Sequence, residues 1–160
     1  MQWLRKRNGI SICELAKKAG YDRKYITPLE YGEHDIKLQS VVKIARALDI
    51  NLPLIFSPNL EEVLQASSKA SLHFIEDDYL LVYIENINRF IKANNRHQYS
   101  LSCSSSIDAA AINRLLSGKT KNPRLSTLYR ISLGTDIEFP RLFTRNLFTQ
   151  INKGENENDF

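Results

Sequence analysis

The stretch Ser11-Ile12-Cys13-Glu14-Leu15-Ala16-Lys17-Lys18-Ala19-Gly20-Tyr21-Asp22-Arg23-Lys24-Tyr25-Ile26-Thr27-Pro28-Leu29-Glu30-Tyr31-Gly32 decides the fold. Ser11 stands three residues before Glu14, so each side chain can satisfy a free backbone N–H of a first helical turn. The spacing predicts a helix from there to about Lys18. Gly20 can take the positive φ of a tight turn, Asp22 can cap a second helix running towards Glu30, and Tyr31-Gly32 stops it. Two capped helices joined by a short glycine-containing turn, the second facing inward through Ile26 and Leu29, make a helix-turn-helix that leaves one helix exposed. Downstream, Val41, Ile44, Ala45 and Leu48 recur at i, i+3, i+4, i+7, one face of a further helix. Helical spacing extends over nearly the whole chain and alternating runs are absent, so an all-α fold is expected.

The same pattern returns later in the chain. A shift of 86 superposes Leu4 on Phe90, Leu15 on Leu101, Asp22 on Asp108, Ile26 on Ile112, Leu29 on Leu115 and Gly32 on Gly118. Past that glycine the shift becomes 87: Leu38 meets Leu125, Val41 Leu128, Lys43 Arg130, Ile44 Ile131, Asp49-Ile50 Asp136-Ile137, Pro53 Pro140 and Phe56 Phe143. One residue inserted in a loop explains the change. Generic helical periodicity can align apolar positions, but not two capping Asp, two Gly and two Pro together. The reading is a duplication, with copies at 3–57 and 87–144.

Composition bounds the function. The 160 residues, 42% apolar and 25% charged, suffice for one domain or two very small ones. No run of eighteen apolar residues occurs, and the charges of Arg5-Lys6-Arg7 are not followed by an apolar stretch, so neither a membrane span nor a signal peptide is expected. Cys13 and Cys103 lack metal-ligand neighbours and are expected as reduced thiols on helices near core positions, while His34, His73 and His97 are scattered. No metal, cofactor or catalytic motif is expected. The net charge of +4 hides a pattern: residues 1–60 carry ten Lys/Arg against six Asp/Glu, 61–86 one against six, and 87–154 eleven against three. Two basic blocks around an acidic one offer surfaces for a polyanion, although a solvated surface would look the same.

Leu4-Arg5-Lys6-Arg7-Asn8-Gly9-Ile10-Ser11, with Glu14-Leu15-Ala16, Ile26, Leu29-Glu30-Tyr31-Gly32 and Ala45-Arg46-Ala47-Leu48-Asp49-Ile50, resembles the Cro/Xre, or lambda-repressor-like, helix-turn-helix family. The second copy is similar through Gln98, Leu101-Ser102, Ile112-Asn113-Arg114-Leu115, Gly118-Lys119, Asn122-Pro123 and Leu125-Ser126-Thr127-Leu128. The resemblance implies two five-helix domains, at 1–57 and 80–144, joined by an acidic, partly helical linker at 58–79. A short helix Leu60 to Ala66 is expected within that linker, and 145–160 is expected as a disordered tail. It implies a cytoplasmic, nucleoid-associated regulator that binds double-stranded DNA in two-fold pairs and represses by occupying a promoter.

The recognition-helix positions that the resemblance assigns are Arg23, Lys24, Tyr25 and Thr27, and in the second copy Ala109, Ala110, Ala111 and Asn113, with Arg114 beside them. Gln98 occupies the place where the family often has a glutamine contacting phosphate or supporting a base contact; the first copy has Ile12 there. Asn113 can read adenine through two hydrogen bonds, and an alanine methyl can pack on a thymine methyl. The loop bearing Lys119, Lys121 and Arg124 reads as phosphate-contacting. Pro28 removes an N–H from the recognition helix, at a cost of about 3 kcal/mol in a regular interior. Either the helix bends there, or Thr27-Pro28-Leu29-Glu30 is a capping box that ends it early. Glu76-Asp77-Asp78 is expected to cap the next helix, and Tyr79 to Tyr83 to form core or a dimer face. A protein-binding module is the alternative: one copy, having lost DNA reading, serves dimerisation or partner capture through the acidic segment.

Overall fold

The computed structural model describes residues 1–58, 60, 62 and 72–145. All of the expected tail but Arg145, and all but Leu60 and Glu62 of the expected helix Leu60 to Ala66, lie outside the described residues. Among those described the fold is all-α, with nine α-helices, one 3₁₀ turn and a single isolated β-bridge. The chain forms two compact units, one of Met1–Asp77 with Asn122–Tyr129, the other of Asp78–Lys121 with the chain from Arg130.

The first unit holds α1 (Gln2–Arg7), α2 (Ile12–Ala19), α3 (Arg23–Glu30), α4 (Leu38–Ala47) and α5 (Leu52–Ile55). Helix α2 starts on the expected capping box: the Glu14 N–H donates to Ser11 Oγ at 3.1 Å and the Ser11 N–H to Glu14 Oε2 at 2.7 Å. It ends on Gly20 at φ 71°, and α3 begins where the Lys24 N–H donates to Asp22 Oδ1 at 2.7 Å. Leu15, Ala16 and Ala19 of α2 are buried against Ile26 of α3 and Val41, Ile44 and Ala45 of α4. Helix α1 joins that core through Leu4 and is tied to the end of α3 by Arg5, whose Nε and Nη2 donate to the Glu30 carboxylate at 2.8 and 2.9 Å. Helix α3 runs unbroken through Pro28 to Glu30, which removes the capping-box reading of Thr27. Thr27 Oγ1 instead donates to the Arg23 carbonyl at 2.9 Å, and Glu30 turns to Arg5.

The second unit begins with α6 (Tyr79–Ala93), capped by Asp78 Oδ1 accepting the Leu81 N–H at 3.0 Å. Tyr79, Val82, Tyr83, Ile84, Ile87 and Phe90 face its core, while Leu81 is exposed. Helices α7 (Gln98–Ser105) and α8 (Ala109–Leu116) follow, and α9 (Leu125–Ser132) begins in the first unit and ends in the second. The 3₁₀ turn Phe139–Phe143 packs on α6, where Asn86 Nδ2 donates to the Leu142 and Thr144 carbonyls at 3.0 Å each. Ser106 ends α7 at φ 52°, the conformation Gly20 takes after α2. Arg130 holds that corner, Nε donating to the Ser105 carbonyl at 3.0 Å and Nη2 to that of Ser106 at 2.6 Å. Cys13 and Cys103 are free and exposed, correcting the near-core placement: both sit on the solvent side of their helices.

Candidate nucleic-acid interface

In the first unit the turn Gly20-Tyr21-Asp22 aims α3. Asp22 caps it, Ile26 is fully buried as its inward anchor, and Arg23, Lys24 and Tyr25 emerge on the solvent side. Neither Arg23 nor Lys24 makes an ion pair among the described residues. These are the side-chain types that reach guanine O6 and N7 or a phosphate oxygen. Tyr25 is differently engaged: its hydroxyl donates to Ser40 Oγ at 3.0 Å, beside that of Tyr21 at 2.9 Å, and the two rings lie 4.6 Å apart. The residue remains 39% exposed with its hydroxyl proton engaged, so it presents carbon rather than a donor. The Thr27 hydroxyl proton is likewise held by the Arg23 carbonyl. Lys43 Nζ lies 5.3 Å over the Tyr21 ring, a cation beside this cluster that sequence reasoning missed. The only signal for it was the i, i+4 spacing of Tyr21 and Tyr25, which does not name Ser40 or Lys43 as partners.

Residues 1–55 match the Helix-turn-helix family. The match covers α1 to α5 and supports double-stranded DNA binding and transcription regulation in general; it is a DNA-binding rather than a catalytic family. No curated protein and no solved structure matches the chain.

In the second unit Gln98 is the exposed first residue of α7, the place Ile12 holds in α2. Helix α8 is capped by Asp108, whose Oδ1 accepts the Ala110 and Ala111 N–H groups at 2.8 and 3.2 Å. Ile112, Leu115 and Leu116 are buried, and Ala109, Ala110, Asn113 and Arg114 are exposed. Ala110, Asn113 and Arg114 stand at i, i+3, i+4, which puts them on one face of α8. Gly118 (φ 72°) turns the chain out of the helix, and the Lys119 N–H returns to the Arg114 carbonyl at 2.9 Å, leaving the Lys119 and Lys121 side chains in solvent. Arg124 falls in the first unit, with Nη1 3.7 Å from Asp35 Oδ2.

Among the described residues no cluster of three His, Cys, Asp or Glu could hold a metal, and no helix is long and apolar enough to cross a membrane. Within the acidic segment Glu76 pairs with Arg46, and from the first copy Asp49 binds His73 Nδ1 at 2.6 Å and the Phe74 N–H at 3.2 Å. Those bonds hold the Asp49 carboxyl below its ordinary range.

Proposed function

We propose that this chain is a sequence-specific double-stranded DNA-binding regulator, a repressor, built from two helix-turn-helix copies. The carrying observation is α3: a capped, outward-facing helix in the family-matched segment, with Arg23 and Lys24 exposed at its start. The second copy is supported by local conformation. Helices α2 and α3 span the same lengths as α7 and α8 at the 86-residue shift. Positive φ at residues 9, 20 and 32 recurs at 95, 106 and 118, and that at 49 recurs at 136. In this reading Arg23 and Lys24 lie in the groove, on base edges or phosphate, Asn113 contacts a base edge, Ala109 and Ala110 pack on thymine methyls, Tyr25 and Thr27 support α3, and Gln98, Arg114, Lys119, Lys121 and Arg124 lie along phosphate.

A second reading, in which the first copy captures a protein partner or dimerises, is favoured by the inward commitment of the Tyr25 and Thr27 hydroxyls. Enrichment of random duplex DNA on the purified chain at about 150 mM salt separates them. A motif with two half-sites about one helical turn apart is expected; a single half-site assigns reading to one copy, and salt-sensitive binding without enrichment overturns specific regulation. Arg23→Ala with Lys24→Ala weakens binding in the first reading and leaves it unchanged in the second.

A further inference from the structure

Residues 35–39 and 122–126, both in the first unit, are joined by an antiparallel bridge between Lys37 and Arg124. The Leu38 N–H donates to the Pro123 carbonyl at 3.0 Å, and the Leu125 N–H to the Ile36 carbonyl at 2.8 Å. Flanking these, the Gln39 N–H donates to Asn122 Oδ1 at 3.1 Å and the Ser126 N–H to Asp35 Oδ1 at 3.3 Å. The four bonds are two equivalent pairs. Under the 87-residue shift Asp35 becomes Asn122, Ile36 Pro123, Lys37 Arg124, Leu38 Leu125 and Gln39 Ser126. Each segment therefore presents, in the same order, a side-chain oxygen, a backbone carbonyl and two N–H groups. In these four bonds each segment gives its partner what it takes from it, so the pattern is able to pair with a copy of itself; the Ser126 hydroxyl adds a further bond to Asp35 Oδ2 at 2.6 Å that stands outside the reciprocal set. Proline fits at 123 because that position uses only its carbonyl. The donors at 38 and 39 open α4, and those at 125 and 126 open α9; first-turn N–H groups have no partner within their helix. Lys37, at the cap position of α4, supplies none.

We infer that residues 35–39 are a self-complementary recognition edge, occupied here by the chain's own residues 122–126 and, once that occupant is disabled, by residues 35–39 of a second copy. The charge pattern is retained: the self-pair sets Lys37 opposite Lys37 where Lys37 now faces Arg124, and each Asp35 is placed to offset that repulsion by meeting the cation opposite, as it meets Arg124 now. DNA reading plays no part in the inference, so its test is read from association alone.

In a Cys13→Ser, Cys103→Ser background, Lys37→Cys with Arg124→Cys sets thiols at a non-hydrogen-bonded antiparallel pair. The Cα separation of about 4.5 Å typical of such a pair lies within disulfide reach. Mild oxidation is expected to consume both thiols in a chain that remains monomeric; free thiols, or links between chains, overturn the assigned occupant. This variant keeps every backbone bond, so it decides the point even where the next one loses its fold. In the same background, Asn122→Ala with Leu125→Pro removes an acceptor and a donor from 122–126, and proline is tolerated at a first helical position. Adding Lys37→Cys then reports pairing between chains. The sedimentation mass is expected to double as concentration rises, with a disulfide between the two positions 37. A monomer with its thiol free overturns self-complementarity.

Discussion

The Glu30 side chain is 1% exposed, and the charge that answers it comes from Arg5, itself 12% exposed. The turn after α1 also uses that arginine, since its Nη1 donates to the Ile10 carbonyl at 3.0 Å. Removing one member of a buried pair strands the other, so Arg5→Ala is expected to lower stability by about 3 kcal/mol in urea unfolding. At the 86-residue shift the same two positions are Ile91 and Leu116. Arg5→Ile with Glu30→Leu is therefore expected to return stability to within about 1 kcal/mol of the parent, because an apolar pair of similar volume needs no desolvation. Glu14 carries a pH-dependent contribution. The bonds to Ser11 hold its carboxyl below the ordinary 4.5, so the stabilisation is present above that value and is lost as pH falls through the lower folded-state value. Unfolding midpoints followed from about pH 6 to about pH 3 should show that loss, and Glu14→Gln should flatten it. The capping box behind this was legible because its two partners are three residues apart. The Arg5–Glu30 pair was not, because 25 residues separate them.

Among the elements, α3 is the one whose sequence argues against its own geometry. Pro28 offers no N–H to the Lys24 carbonyl, yet the helix continues to Glu30. Burial of Ile26 and the tie from Arg5 to Glu30 hold both sides of the proline, and Thr27 Oγ1 binds the Arg23 carbonyl one position earlier. Tertiary anchoring overrides local propensity here, as it does wherever packing outweighs a single residue. Pro28→Ala is expected to raise stability by about 2 kcal/mol, read by urea unfolding. If the backbone at Pro28 shapes base reading, duplex enrichment with that variant returns a changed preference. Helix α7 shows the opposite: Ser11 caps α2, but His97 makes no side-chain bond to α7, which ends on Ser106 instead of glycine. Its boundaries nevertheless lie 86 residues after those of α2, and Leu101 is buried as Leu15 is.

For the molecule as a whole, charge distribution is the property that meets a polyanion. Two cations at the start of α3 release about two counterions on duplex binding, so Arg23→Ala with Lys24→Ala should reduce the slope of log affinity against log salt by about 2. A binding assay across salt concentrations checks this, and an unchanged slope places the phosphate contacts elsewhere. By itself the sequence determined the helical class, both ends of α2, the start of α3, the caps of both helices, Ile26 as the inward anchor of α3 and the inward face of α4. Caps, glycine turns and 3.6-residue periodicity act over a few neighbouring residues, so they can be read from order alone. The tertiary structure decided where the Tyr25 and Thr27 hydroxyls go, that Cys13 and Cys103 face solvent, that Arg5 neutralises Glu30, and that residues 35–39 pair with 122–126. Most of these depend on partners brought together from distant parts of the chain. Even the bond from Thr27 to Arg23 waits on whether α3 continues past Pro28, which anchors outside that helix settle.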